Sequence, residues 1–192
     1  MLKDLIMKNR SYRRFHEDVR ITREQLAAWV DLARLSGSAR NAQSMRYFFI
    51  TSENECNQVF PLLGWAGYLS EWQGPAEGER PAAYIVILND RDVSTNYYCD
   101  DGIAAQSVML GACEAGYGGC LVASVKRQQL RDLFKIDERY DILLVLALGK
   151  PAETVVIEEM KNADYKYWRD EYDIHHVPKR ALSDLILKNE RS

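Results

Sequence analysis

Residues 97–124, YYCDDGIAAQSVMLGACEAGYGGCLVAS, decide between two ways of building a sheet protein. Ile103, Ala104, Ser107, Val108, Leu110, Gly111 and Ala115 recur at spacings that pack inside a buried helix over 97–115. Asp100 and Asp101 fall in its first turn, where carboxylates favour the helix dipole; as a pair they also fit general acid/base work. Gly116 ends the helix, and 120–124 reads as a strand. The glycines Gly116, Gly118 and Gly119 therefore follow a helix and lead into a strand. A dinucleotide-binding loop runs the other way, from strand into helix, so that a pyrophosphate meets a helix N-terminus. Its GxGxxG spacing is also missing, and the reading fails on both counts.

Outward from this segment, 82–88 (AAYIVIL) and 141–148 (DILLVLAL) are near-continuous apolar runs, the mark of buried central strands. The short aromatic stretch 46–51 (RYFFIT) predicts a third strand. Thr22 opens a capping box with Gln25, and Leu26, Trp29, Val30 and Ala33 carry a helix towards Gly37. Ser52 and Glu55 form a second capping box for a short helix that Pro61 ends. Ser124 is positioned to cap a helix over 125–134. The irregular stretch 64–81 reads as a lid or binding loop, with Trp65, Tyr68 and Trp72 either stacking over a substrate or serving as ordinary core aromatics. After Pro151 the chain turns polar and aromatic (ADYKYWRDEY, 163–172), then closes with HHVPKR (175–180) and a short helix near 182–187. The order predicts a single α+β domain over 1–192 on one sheet. Its 151–192 extension carries too little apolar surface to fold alone, so it wraps its own domain or a partner subunit.

Bulk properties narrow the function classes. Twenty-five Lys and Arg face 28 Asp and Glu, a net charge of −3 that gives no basic footprint for nucleic acid or an anionic membrane. The N-terminus MLKDLI is charged and does not read as a signal peptide. The longest apolar run, 142–148, falls far short of the roughly 20 residues a bilayer requires. Cys56, Cys99, Cys113 and Cys120 are scattered, without a CxxC pair or a histidine at ligand spacing, so neither a disulfide framework nor a zinc site is expected. A reduced, cytoplasmic setting fits. No G-x-S-x-G elbow accompanies His16, His175 or His176, which argues against nucleophilic hydrolysis.

Three polar clusters remain. Arg10-Ser11-Tyr12-Arg13-Arg14 offers guanidinium forks and a hydroxyl that match phosphate oxygens, or else forms a solvated basic turn. Ser38-Ala39-Arg40-Asn41-Ala42-Gln43 lies between a helix stop and a strand. Its amides can read a heterocycle edge, though turn chemistry alone explains Ser and Asn there. His175 and His176 point to opposite faces of a strand, which disfavours a shared metal. Lys179-Arg180 then adds positive charge to the arginine clamp or stands as a solvated pair.

In this order the segments resemble the nitroreductase family of FMN flavoproteins over nearly the whole chain. The family's R-S-x-R matches Arg10-Ser11-Tyr12-Arg13, its S-x-x-N-x-Q matches Ser38, Asn41 and Gln43, and its G-x-G-x-C matches Gly116, Gly118 and Cys120. Gly149-Lys150-Pro151 matches G-x-P, and Lys179-Arg180 the basic C-terminal pair. The resemblance implies a nitroreductase-like α+β fold with a central mixed or antiparallel sheet flanked by helices. It also implies a homodimer embraced by its C-terminal tails, with FMN at the subunit interface. Arg10, Ser11, Arg13, Lys179 and Arg180 would hold the phosphate and ribityl end. Ser38, Asn41 and Gln43 would reach the flavin, in many members from the partner. Ala123 and Ser124 fall where the family sets a small pair, often Gly-Gly, whose backbone N–H faces flavin N5. NAD(P)H and a small acceptor, a nitroaromatic or a quinone, would then use one site in turn, with no side chain needed as acid or base. Dehalogenation, enone reduction and flavin breakdown are alternatives on the same fold, as is a non-enzymatic FMN-binding dimer. Two departures stand out: Ser44-Met45 replaces a common Pro-Trp, and Ala123 requires an ordinary backbone angle, since alanine at positive φ is strained.

Overall fold

Alternation along two apolar strands builds two cores from one sheet. In the computed structural model, which describes residues 1–187, the chain divides into two units. The first, Met1–Trp65 with Gln73–Ala152, holds in chain order α1 (Leu2–Lys8), β1 (Phe15–His16), α2 (Arg23–Leu35), β2 (Met45–Ile50), α3 (Glu53–Val59), β3 (Ala83–Asp90), α4 (Asp100–Glu114), β4 (Gly118–Val122), α5 (Arg127–Phe134) and β5 (Tyr140–Pro151). The sheet runs β1-β5-β3-β2, with β4 on β5 beside β1, and every pairing is antiparallel.

Successive strand side chains point to opposite faces. Ala83, Ile85 and Ile87 of β3 join Leu146 and Leu148 of β5 under the apolar faces of α2 and α4. Tyr84, Val86 and Leu88 join Val145 and Ala147 on the other face, against Cys56 and Val59 of α3 and Leu130 of α5. Covering both faces explains why the two strands read as continuous apolar runs although they pair antiparallel. Each fully buried Ile or Leu contributes about 1.5–3 kcal/mol.

The local signals are met where a cap decides the element. Thr22 Oγ1 accepts from Gln25 N–H and the Gln25 side chain accepts from Thr22 N–H, so α2 starts at the predicted capping box. Ser52 Oγ likewise accepts from Glu55 N–H at the start of α3. Helix α4 begins three residues later than the predicted start, and β4 begins two residues earlier, at Gly118. Ser124 does not cap α5: the N-cap position is Lys126, without a side-chain cap bond, because Ser124 is drawn instead into a loop contact with Gly64. Helix α4 is also less enclosed than its composition suggests. Ala104, Ala105, Val108, Met109 and Ala112 are buried, whereas Ile103 is exposed.

The second unit comprises Ala66–Trp72 and the described residues from Glu153 onward. Strands β6 (Val155–Glu159), β7 (Trp168–Arg169) and β8 (His175–Lys179) make a three-stranded sheet, with β8 parallel to β6 and antiparallel to β7. A 3-10 turn, Leu182–Asp184, stands where a short helix was predicted. The extension read from the sequence as having too little apolar surface to fold alone thus carries an ordered three-stranded sheet over 155–179. Its cohesion is aromatic and ionic, which apolar periodicity does not register. Tyr68 packs on Tyr167 at 4.9 Å and on Tyr165 at 6.1 Å between ring centroids. The Arg169 guanidinium lies 4.5 Å over the Trp72 ring and bonds Glu153 at 2.8 Å. Among the described residues no helix is long and apolar enough to cross a membrane.

Candidate functional site

The arginine cluster is seated by the glycines of β4. Tyr12 N–H donates to Gly119 O at 2.9 Å, and Ser11 forms a parallel bridge to the same residue. This approach explains the two glycines: a Cβ on Gly119 would lie 2.1 Å from Ala147 O, and one on Gly118 would lie 2.6 Å from the Tyr12 ring. The Gly-Gly step therefore lets three backbone segments meet and is no phosphate loop. Arg10 donates from one terminal nitrogen to Ile6 O at 2.5 Å, while its Nε is buried without a hydrogen-bond partner. Arg13 Nη1 donates to Ser11 O at 3.3 Å. Arg14 is committed elsewhere, in a two-pronged pair with Glu79 at 2.8 and 2.5 Å.

Ala123 and Ser124 follow the far end of β4, about 13 Å from Gly119 at strand rise. Both are exposed. Their carbonyls are engaged, Ala123 O by Arg127 at 3.2 Å and Ser124 O by Gly64 N–H at 2.8 Å, whereas their N–H groups have no backbone partner among the described residues. Ala123 is not in the positive-φ region, so the alanine is unstrained.

The segment carrying Ser38, Asn41 and Gln43 is a tight turn built on a 3-10 stretch, Ala39–Asn41, in which Arg40 and Asn41 have φ of 56° and 54°, and Gln43, two residues beyond it, has φ of 54°. Left-handed geometry costs an L-residue about 1–2 kcal/mol, so something must hold it. Asp100, buried at the start of α4, does so: Oδ2 accepts from Ser38 Oγ at 2.7 Å and Oδ1 from Ala39 N–H at 2.9 Å. Ser38 Oγ in turn accepts from Gln43 N–H at 3.1 Å, and Gln43 Nε2 donates to Asn41 Oδ1 at 3.1 Å. The Asn41 and Gln43 side chains remain exposed. A cavity of about 210 Å³ opens beside the turn, lined among others by Arg34, Ser38, Gln43, Tyr47, Asp100 and Ile103. Burial, and then the Asp100 charge, push the Tyr47 phenol above its ordinary value.

Lys179 and Arg180 lie in the second unit. Lys179 closes β8 in register with Glu159, its carbonyl accepting from Met160 N–H, and both side chains are exposed. On the same strand His175 is buried and His176 faces the other way, as the alternation predicts. His176 Nδ1 meets Glu158 at 2.5 Å, its Nε2 meets Asp170 at 3.1 Å, and its ring stacks on Trp168 at 4.0 Å.

The structure thus gathers Arg10, Ser11 and Arg13 at one end of β4 and leaves Ala123 and Ser124 past the other. Ser38, Asn41 and Gln43 assemble around Asp100. Sequence reading placed Asp100 with Asp101 in the first turn of α4, as dipole acids or an acid/base pair, and missed its bond to Ser38, because nothing local ties it to a residue 62 positions away.

A sequence model of the nitroreductase family matches residues 6–150. YodC of Bacillus subtilis, whose name gives it as an NAD(P)H nitroreductase, is 21% identical over 180 residues, 77% of this chain and 88% of its own. Among solved structures, a nitroreductase family protein from Streptococcus pneumoniae TIGR4 superposes with a TM-score of 0.69 at 13% identity, covering 98% of this chain and all of that one. An FMN-dependent nitroreductase from Clostridium difficile R20291 superposes with a TM-score of 0.65 at 19% identity, covering 87% of this chain and 97% of that one.

Proposed function

Because the chain belongs to the nitroreductase family, we propose that it is an FMN-dependent oxidoreductase that draws electrons from NAD(P)H and passes them to small acceptors such as nitroaromatics or quinones. The observation that carries this reading is the pairing of the Arg10-Ser11-Tyr12-Arg13 segment with β4. It sets a basic cluster at one end of the strand and two exposed, uncommitted N–H groups at the other.

The residues fit a flavin mononucleotide. The buried, unpartnered Arg10 Nε is a donor waiting for an acceptor, and an orphaned donor of this kind costs stability unless a ligand answers it. With Ser11 and Arg13, Arg10 would hold the phosphate and ribityl end. The N–H groups of Ala123 and Ser124 would meet the ring edge at N5. Asn41 and Gln43, exposed on their turn, would read the ring from a second copy of the chain, and Lys179 and Arg180 would add charge at the phosphate. FMN, when bound, supplies two-electron exchange with nicotinamide and acceptor in alternation, while the chain's own part is to orient, to supply positive charge and to exclude water. The names of YodC and of the Clostridium structure, which carry NAD(P)H and FMN, support the same reading.

The homodimer belongs to this proposal. Its support in the chain is apolar surface left uncovered in the first unit, at Leu2 and Met7 of α1, Leu35 of α2 and Ile103 of α4. A cytoplasmic setting is part of it too, in keeping with four free cysteines. Initial rates of NADPH and NADH oxidation, measured at several fixed concentrations of a quinone and of a nitroaromatic, test the function. Parallel double-reciprocal lines with at least one nucleotide are expected; no oxidation of either nucleotide with any acceptor contradicts it.

A further inference from the structure

The geometry points to Asp100 as a positioning residue that acts through the Ser38 hydroxyl to shape the Ala39–Gln43 turn for flavin, so that Ser38 serves the turn and makes no flavin contact of its own. The inference rests on the FMN reading above and changes the role of one of its residues.

Three observations carry it. The first is the direction of the hydrogen bonds. Ser38 has one proton to donate, and Asp100 Oδ2 accepts it at 2.7 Å. The hydroxyl oxygen then accepts from Gln43 N–H at 3.1 Å. Donor and acceptor functions of Ser38 are both engaged within the chain, and a flavin carbonyl would have to compete with a buried carboxylate for the proton. The second is burial: Asp100 is 4% exposed, and its two carboxyl oxygens are answered by the Ser38 hydroxyl at 2.7 Å and the Ala39 N–H at 2.9 Å. The third is strain. Arg40, Asn41 and Gln43 all adopt left-handed φ, and the bonds from Asp100 and Ser38 span this stretch from Ala39 to Gln43. Without them the turn relaxes, and Asn41 and Gln43, joined at 3.1 Å, lose their shared presentation.

A relay leaves a signature that a direct contact does not. Removing either member of one chain of hydrogen bonds costs what removing both costs, whereas independent contacts add. FMN dissociation constants of wild type, Asp100→Ala, Ser38→Ala and the double variant, by fluorescence titration, form the cycle. We expect each single variant to weaken FMN binding about 10- to 100-fold, as loss of a charge-assisted bond does, and the double variant to be no weaker than the worse single. Ser38→Thr keeps the hydroxyl and should bind within a few-fold of wild type. Asp101→Ala, which removes a neighbouring acid from the same helix turn, should leave affinity unchanged. Additive losses, or an effect of Ser38→Ala with none of Asp100→Ala, would overturn the assignment. Amide exchange of Ala39 and Gln43 in the flavin-free protein separates this claim from the cofactor reading: Asp100→Ala should deprotect both amides. If wild-type protein bound no FMN, the flavin reading would fall; retained protection in Asp100→Ala would sink the relay whether or not FMN binds.

Discussion

At the scale of single residues, the most exacting positions are those where backbone approaches backbone. Gly119 is one: its missing Cβ lets β4 pair with β5 while Tyr12 docks from the other side. Gly119→Ala should cost about 3 kcal/mol or more, since the collision is with a strand carbonyl that cannot rotate away. It should weaken flavin binding as well, because the arginine segment is anchored there. Gly102, in α4, is the contrast, since a Cβ there would meet nothing within 4 Å. Gly102→Ala should raise stability by a few tenths to about 1 kcal/mol through helix propensity. Thermal denaturation of the two variants checks both signs. Arg10, Ser11 and Arg13 were legible in the sequence as a cluster; that Gly118-Gly119 exists to seat them was not, since glycines before a strand look alike whatever packs on them.

Elements were legible where a cap or a two-sided apolar run dictates them, as at Thr22, Ser52, β3 and β5. They were not legible after Pro151, where the strands are short and their partners are aromatic rings and ions. The His176 cluster gives that sheet a pH dependence. Burial alone would lower the His176 pKa, but its bonds to Asp170 and Glu158 outweigh it and hold the imidazolium above the ordinary 6.5. A folded pKa raised above the unfolded one stabilises fully below the unfolded value and is lost as pH rises through the folded value. Amide protection of 155–179 should therefore decline as pH is raised from about 6.5 upward. His176→Gln should flatten this dependence and leave the first unit's protection unchanged; an unchanged slope in the variant would show that His176 is not its source.

For the molecule as a whole, the stretch 64–81 is the clearest revision. Its composition reads as one lid, whereas the structure divides it: Trp65 stacks on Phe60 at 5.5 Å within the first unit, and Ala66–Trp72 joins the C-terminal sheet. Segment and sheet should accordingly open together. Arg169→Ala removes the guanidinium from both Trp72 and Glu153 and should speed proteolysis within 66–72 and exchange in β6 by similar factors. Acceleration confined to one of the two would separate them. The family fold was legible from the order of motifs along the chain, whereas the division into units depends on contacts between residues nearly a hundred positions apart, such as Tyr68 with Tyr167.

The central claim, a flavin-dependent reductase, is tested most directly by the visible absorption spectrum of the purified protein, recorded anaerobically before and after NADPH and then NADH. The account predicts flavin bands, either as purified or after adding FMN, that bleach with at least one nucleotide and return when a quinone is admitted. A protein that takes up no FMN, or whose flavin bands persist with both nucleotides, would contradict it.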